Sequence, residues 1–196
     1  MSITALFGIA AGILSLTAYP IYVRDILRGN TKPSRVTWWI LTLSNLLLTA
    51  SYYVSGARDT IWIPISYSIG FLLIAILSIK YGEGGWTILD YACLAGALAS
   101  ALAWVFFNSA EIALYMIIIV DFFGLMPTIY KSYLRPLTEN KTAWVLATAA
   151  SLLNIFAIES WTLAISTYPI YILITNALVA YFLISPRGER SHPPRI

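Results

Sequence analysis

Asp121 is the residue whose position most strongly suggests chemistry. It is the single acid in the stretch IIIVDFFGLMP at residues 117–127, between a β-branched apolar run and a proline. If this run spans a bilayer, the carboxyl lies near its centre, where a charged side chain costs at least about 2.5–3.5 kcal/mol. A carboxyl avoids that cost by keeping its proton, which it can release when water reaches the site. Asp121 is therefore a candidate proton carrier, the alternative being a permanently protonated or paired acid that only holds helices together. Gly124 and Thr128 are expected on its face of a helix.

Three amides lie inside other apolar runs, at Asn45, Asn154 and Asn176. Each carries donors and acceptors that must be satisfied in an apolar medium. Such groups can bind a polar solute in a cavity, or they can bond a neighbouring helix for around 1 kcal/mol. The sequence leaves both readings open, so all three are candidate substrate-binding residues.

Four prolines are candidates for a hinge or gate. Pro64 and Pro169 come early in their apolar runs, and Pro20 and Pro127 come late in theirs. A proline removes a backbone hydrogen bond and bends a helix when it lies in the interior, but it costs little near a helix end. Repetition at matched positions favours the hinge.

The composition indicates an integral membrane protein. Hydrophobic residues make up 59% of the 196 residues and charged residues 11%, and the mean hydropathy is +0.78. About 20 apolar residues cross the roughly 30 Å hydrocarbon core as a helix. Because the runs are continuously apolar rather than alternating, we expect an all-α fold and not a transmembrane barrel. Seven spans are predicted, at residues 3–22, 36–54, 61–79, 86–107, 112–130, 143–160 and 163–185.

Several protein classes fit the chain poorly. One histidine and one cysteine, Cys93, give no metal-ligand cluster. No nucleophile, base and orienting acid converge in the sequence, so we expect no enzyme and no cofactor. A retinal protein needs a lysine in its last span, which has none. The basic tail is too sparse to indicate nucleic acid, so the expected partners are membrane lipid and a small polar solute, with a homo-oligomer left open.

The distribution of cations predicts the orientation. Arg58 alone lies on one side of the predicted spans. By the positive-inside rule, the amino terminus is expected outside and the carboxyl terminus in the cytoplasm, most simply in a plasma or inner membrane. The cations on the other side are Arg24, Arg28, Lys32, Arg35, Lys80, Lys131, Arg135, Lys141, Arg187, Arg190 and Arg195.

The chain also contains an internal repeat. The segment from Pro20 aligns with the segment from Pro127, and at the same offset Thr31 meets Thr138 and Ser44 meets Ser151. Spans one to three thus resemble spans five to seven, as a parallel repeat. We expect a first triplet at 1–82, a linker helix at 83–109, a second triplet at 110–186 and a cytoplasmic tail at 187–196.

This three-plus-one-plus-three plan, with a proline before each short basic loop, resembles the PQ-loop and SWEET transporter superfamily. The glutamine of the Pro-Gln pair is replaced by Ile21 and Thr128. The Asp-Phe-x-Gly at Asp121 resembles cystinosin-like members, in which that aspartate is linked to proton coupling. Trp161 precedes Asn176 at a spacing similar to that of the substrate-holding tryptophan and asparagine of SWEET proteins. The resemblance therefore implies that Trp161 and Asn176 bind substrate.

The leading hypothesis is a secondary transporter for a small polar solute such as a sugar or an amino acid. It would work by alternating access between the triplets, with protonation of Asp121 as the candidate coupling step. The alternative is a non-transporting seven-helix receptor or assembly protein of the same fold. The related receptors with this helix plan rely on charged residues lining a pocket, and such residues are sparse in this sequence.

Overall fold

The computed structural model describes residues 1–29, 32–134, 136 and 139–185, without the side chains of Pro127 and Lys131. The predicted tail at 187–196, and the match of Thr31 with Thr138, lie outside these residues. Within them every regular element is helical, which confirms the all-α prediction for the described part of the chain. The helices are α1 (Ile3–Leu16), α2 (Tyr19–Leu27), α3 (Arg35–Val54), α4 (Trp62–Tyr81), α5 (Ile88–Phe107), α6 (Ala110–Leu134), α7 (Lys141–Phe156) and α8 (Leu163–Ile184).

The first apolar run is broken, although the sequence predicts one uninterrupted helix there. The hydroxyl of Thr17 donates to the Leu14 carbonyl at 2.6 Å where α1 ends. Pro20 then lies in the first turn of α2, where its missing N–H has no helical partner to lose. The chain therefore continues as a second short helix to Leu27, beyond the predicted end of the span.

Within the described part of the chain, five helical stretches are long and apolar enough to cross a membrane. α3 is 20 residues long but is made less apolar by Asn45 and by hydroxyl-bearing and aromatic side chains. α7 has 16 residues and is about 24 Å long at 1.5 Å per residue. The lengths and composition of the five stretches agree with an integral membrane protein. The five stretches are Ile3–Leu27, Trp62–Tyr81, Ile88–Phe107, Ala110–Leu134 and Leu163–Ile184.

The helices pack in two sets that contact each other, one made of α1 to α4 and the other of α6 to α8. α4 contacts both α1 and α3, and α8 contacts both α6 and α7. Between the sets, α1 packs on α7 and α3 packs on α6, while α5 packs on α3 and α6. Gly8 lets α1 approach the start of α4 closely, because an added Cβ would overlap the Asp59 carbonyl.

The ends of α3, α4 and α5 are tied together. Arg35 donates to the carbonyls of Ser78 and Gly82, at 3.2 and 2.9 Å. Asp90 caps α5 by accepting from the Thr87 amide at 2.8 Å, and it also accepts from the Thr37 hydroxyl of α3 at 2.8 Å. Its carboxylate is therefore occupied by structural bonds.

Candidate functional site

A cavity of about 790 Å³ lies between the two sets of helices. Its walls come from α1, α2, α3 and α4 on one side and from α6, α7 and α8 on the other. This volume is within the range of small-molecule pockets, roughly 300–1,000 Å³. Asp25 of α2, together with Glu139 and Asn140 before α7, lines the cavity as well. Because Asn140 is exposed, the cavity reaches the end of the bundle where the α6–α7 connection lies.

The opposite end of the bundle is closed by packed side chains. The rings of Tyr52 and Tyr168 are 5.3 Å apart, and both side chains are buried. Closer to the surface, Glu159 accepts from the backbone amides of Arg58 and Asp59 at 2.6 and 3.3 Å. These contacts join the α3–α4 connection to the α7–α8 connection. Among the described residues, the cavity therefore reaches the end of the bundle at the α6–α7 connection and is separated from the opposite end by these packed side chains.

Aromatic rings cover the wall formed by α2, α3 and α4. Trp38 lies 5.5 Å from both Tyr22 and Phe71, measured between ring centroids. Tyr67 stacks on Phe71 at 5.7 Å. Trp144 lines the cavity from α7. Trp38 near the start of α3 and Trp144 near the start of α7 thus line the same space.

Asp121 lies on the cavity wall near the middle of α6, together with Gly124 and Thr128. The shared helix face predicted from their spacing is therefore observed. The hydrogen-bond partner comes from another helix: the hydroxyl of Tyr171 on α8 donates to Asp121 Oδ2 at 2.5 Å. The carboxyl is thus held at the junction of α6, α8 and the cavity.

Asn176 and Asn45 also line the cavity, from opposite sets of helices. Asn176 is 3% exposed, and its amide nitrogen donates to Ser151 Oγ at 2.8 Å and to the Tyr67 hydroxyl at 3.2 Å. Asn45 is 5% exposed and donates to the Pro64 carbonyl at 3.0 Å and to Ser68 Oγ at 2.8 Å. Both amides are positioned by helix–helix bonds and still border the cavity.

The other two candidate binding residues lie elsewhere. Asn154 is 0% exposed and is absent from the described residues that line the cavity. Neither polar atom of its side chain has a hydrogen-bond partner among the described residues. Trp161 is 69% exposed and lies between α7 and α8, away from the cavity. The structure therefore does not bring Trp161 and Asn176 into one pocket.

The prolines differ in their local effect. Pro64 lies in the first turn of α4, where no helical bond is lost. Pro169 lies inside α8, so the carbonyl of Ile165, four residues earlier, loses its helical N–H. The hydroxyl of Tyr52 donates to that carbonyl at 2.6 Å. A side chain of α3 thus replaces the missing backbone donor of α8. Pro127 lies within α6, and its side chain is outside the described part.

The charged side chains on the described cavity wall are all acids. They are Asp25, Asp121 and Glu139. Among the described residues no group of three or more potential ligands comes together to hold a metal ion. The site is consequently an aromatic and amide-lined cavity with an acidic side chain at its centre and two near its mouth.

Sequence reasoning did not identify Tyr171, Tyr67 or Tyr22 as site residues. Tyrosines in apolar runs are common at membrane interfaces. Their spacing in the sequence does not distinguish a tyrosine at the membrane interface from one that lines a cavity. Tyr171 is 50 positions from Asp121, so their contact depends on how α6 and α8 pack.

Comparison of the chain with protein-family models, curated proteins and solved structures found no match. The resemblance to the PQ-loop and SWEET superfamily therefore stays a prediction from the sequence.

Proposed function

We propose that this protein is a secondary transporter that carries a small polar solute across a membrane by alternating access. Protonation of Asp121 is the coupling step. The observation that carries the proposal is the cavity between the two sets of helices, which reaches one end of the described bundle and is separated from the other end by packed side chains, with Asp121 on its wall. Ionisable residues at membrane depth usually mark solute or proton pathways.

The helix neighbours support two equivalent triplets. α4 lies against α1 and α3 as α8 lies against α6 and α7. The contact of α1 with α7 has a counterpart in the contact of α6 with α3. We infer that the broken stretch Ile3–Leu27, α3 and α4 form the first triplet and that α6, α7 and α8 form the second. α5 is the linker, which gives seven spans in a parallel repeat.

The cations support an orientation with the mouth in the cytoplasm. Arg24, Arg28 and Lys141 are exposed at the mouth end, whereas Arg58 lies at the closed end beside Glu159. The positive-inside rule then gives an external amino terminus. The conformation described is an inward-facing one in this proposal.

The transport cycle requires the closed end to open while the mouth closes. Opening must break the bond from Tyr52 to the Ile165 carbonyl and the bonds from Arg58 and Asp59 to Glu159, all of which join the two triplets. Pro169 is the hinge best suited to this step, because it frees a carbonyl at that end. Pro127 is the candidate hinge near the mouth. Pro20 and Pro64 lie in the first turns of α2 and α4, where a proline fits without loss of a helical hydrogen bond.

Counterflow in liposomes tests the proposal. Purified full-length protein is reconstituted into vesicles preloaded with unlabelled glucose, alanine, lysine or choline, and the same labelled solute is added outside. A carrier transiently accumulates label above equilibrium for at least one of these solutes. A channel shows only equilibration, and a receptor or scaffold shows no uptake beyond protein-free vesicles; either result would reject the proposal.

The role of Asp121 is tested in the same vesicles with an imposed pH gradient. Wild-type transport should respond to the gradient, and Asp121→Asn should lose that response. Glu111→Gln provides a matched control, because Glu111 is an exposed acid in the first turn of the same helix. Unchanged gradient dependence in Asp121→Asn would remove this residue from coupling.

A further inference from the structure

We propose that the solute is a small organic cation and that it competes with a proton for Asp121, so that the protein exchanges the two. This proposal deepens the transporter proposal and rests on it. It depends on four features of the cavity wall, which are the charges, the acceptor atoms, an unpartnered hydroxyl and the aromatic rings.

The described charges on the wall are negative. Asp121 lies deep in the cavity, and Asp25 and Glu139 lie near its mouth. Walls of one sign in a low-dielectric cleft raise the local concentration of the opposite charge. The carboxylate of Asp121 therefore favours a cation over an anion at the deep end of the cavity, while Arg24, Arg28 and Lys141 are exposed outside it at the mouth end.

The amides present acceptors to the solute. Asn45 donates through its nitrogen to the Pro64 carbonyl, and a carbonyl can only accept, so the nitrogen end of this amide is fixed. Asn176 donates through its nitrogen to Ser151 and Tyr67. In the described part of the chain no donor is bonded to either amide oxygen. Two carbonyl oxygens and one carboxylate suit a solute that is rich in donors or positively charged.

Tyr168 adds an unpartnered polar group. It lines the cavity, is 1% exposed, and its hydroxyl has no hydrogen-bond partner among the described residues. Buried hydroxyls are usually satisfied. A bound solute with a hydrogen-bond donor or a hydroxyl could supply the partner that the Tyr168 hydroxyl lacks.

The aromatic rings complete a site for a positive charge. Tyr22, Trp38, Phe71 and Tyr67 form a continuous series of ring contacts on one wall. The faces of such rings attract ammonium groups, by about 0.5–1 kcal/mol each when exposed and more when desolvated. A sugar would stack on these rings but would bring no positive charge to the carboxylate of Asp121.

Competition between the cation and a proton for the carboxyl of Asp121 makes the protein exchange one for the other. In one step the protonated carboxyl of Asp121 releases its proton to water and the carboxylate pairs with the cation, so one positive charge replaces another. A carboxyl cannot hold both, which couples cation movement to opposite proton movement. Other titratable groups that line the cavity or interact with Asp121 are Tyr19, Tyr22, Tyr67, Tyr168, Tyr171, Cys93, Asp25 and Glu139.

The test uses full-length protein in nanodiscs and two matched pairs of probes. Choline is compared with its neutral isostere 3,3-dimethylbutan-1-ol, and phenethylamine with 2-phenylethanol. Binding is followed by tryptophan fluorescence, because Trp38 and Trp144 line the cavity. Proton release is followed by calorimetry in two buffers of different ionisation enthalpy.

At least one cation should bind at least tenfold more tightly than its neutral partner. Its apparent Kd should fall as pH rises, by up to tenfold per unit while the carboxyl is protonated, with about one proton released per cation. Asp121→Asn should lose the cation preference and the proton release, and Asp121→Glu should keep both. Glu111→Gln should behave as wild type.

Equal binding of the charged and neutral probes, or cation binding without proton release, would overturn the proposal. So would carriage of glucose or alanine, but of neither cation, in the counterflow vesicles. In that last case the transporter proposal stands while the cation inference fails. Failure of every solute to be carried would instead reject the transporter proposal, and the cation inference with it.

Discussion

The hydroxyl of Tyr171 on α8 donates to Asp121 Oδ2 on α6 at 2.5 Å. This bond fixes the carboxyl of Asp121 at the edge of the cavity and joins two helices of the same set. A donor to a carboxylate contributes about 1.5–3 kcal/mol. Tyr171 is therefore a positioning residue in the proposed transport cycle.

Tyr171→Phe should weaken transport and keep the fold. The loss of the donor leaves the Asp121 carboxyl free to rotate, so transport at limiting solute should fall by roughly tenfold, which corresponds to about 1.4 kcal/mol. Initial rates in vesicles measure this effect. Tyr130→Phe is the control, because Tyr130 is an exposed tyrosine of α6. Equal rates in both variants would show that the bond is dispensable.

Tyr52 and Pro169 should be coupled energetically. Tyr52→Phe leaves the Ile165 carbonyl buried without a donor, which costs about 1–3 kcal/mol, and should lower the melting temperature. In the Pro169→Ala background the restored backbone N–H can serve that carbonyl. The same Tyr52→Phe change should then cost clearly less. A double-mutant cycle of thermal unfolding in detergent measures the difference, and strictly additive effects would contradict this account of the closed end.

Glycine substitutions should distinguish a position that has no room for a Cβ atom from one that has room for it. Gly8→Ala should destabilise the protein, because the new Cβ would overlap the backbone carbonyl of Asp59. Gly124→Ala should be neutral or stabilising by up to about 1 kcal/mol, since alanine favours helix and its Cβ would lie 3.6 Å from Cys93 Sγ. Melting temperatures of the two variants decide the matter, and the reverse order would contradict the packing of α1 against α4.

Glu159 should hold the closed end shut. Glu159→Ala removes the acceptor for the amides of Arg58 and Asp59 and should favour opening at that end. A reporter cysteine at the buried position Ala57, in a Cys93→Ala background, should then react severalfold faster with an impermeant thiol reagent. Glu111→Ala serves as the control and should leave the reaction rate unchanged. No increase in Glu159→Ala would show that these bonds do not gate the end.

The sequence predicted those features that depend on local pattern. Continuous apolar runs predicted the helices. The isolation of Asp121 in an apolar run predicted a site residue, and Asp121 lies on the cavity wall. Asn176 and Asn45 also line it. In each case a polar group in an apolar run has few stable places other than a helix junction or a cavity.

Features that depend on packing could not be predicted. The break after Leu16 is fixed by the bond from Thr17 to Leu14, which competes with continued helix in a way that hydropathy does not report. Trp161 was expected beside Asn176, but α8 begins only at Leu163, so Trp161 stays in the preceding connection. The contact of Tyr171 with Asp121 likewise requires two helices to meet.

Accessibility of position 121 tests the central claim most directly. In the Cys93→Ala background, Asp121→Cys is compared with Ile119→Cys, a position exposed on the outside of the same helix. The account predicts that a charged, water-soluble thiol reagent modifies residue 121 from the mouth side, and more slowly from the opposite side, while residue 119 stays unreactive in the lipid. Position 121 reacting no faster than position 119 from either side would contradict it.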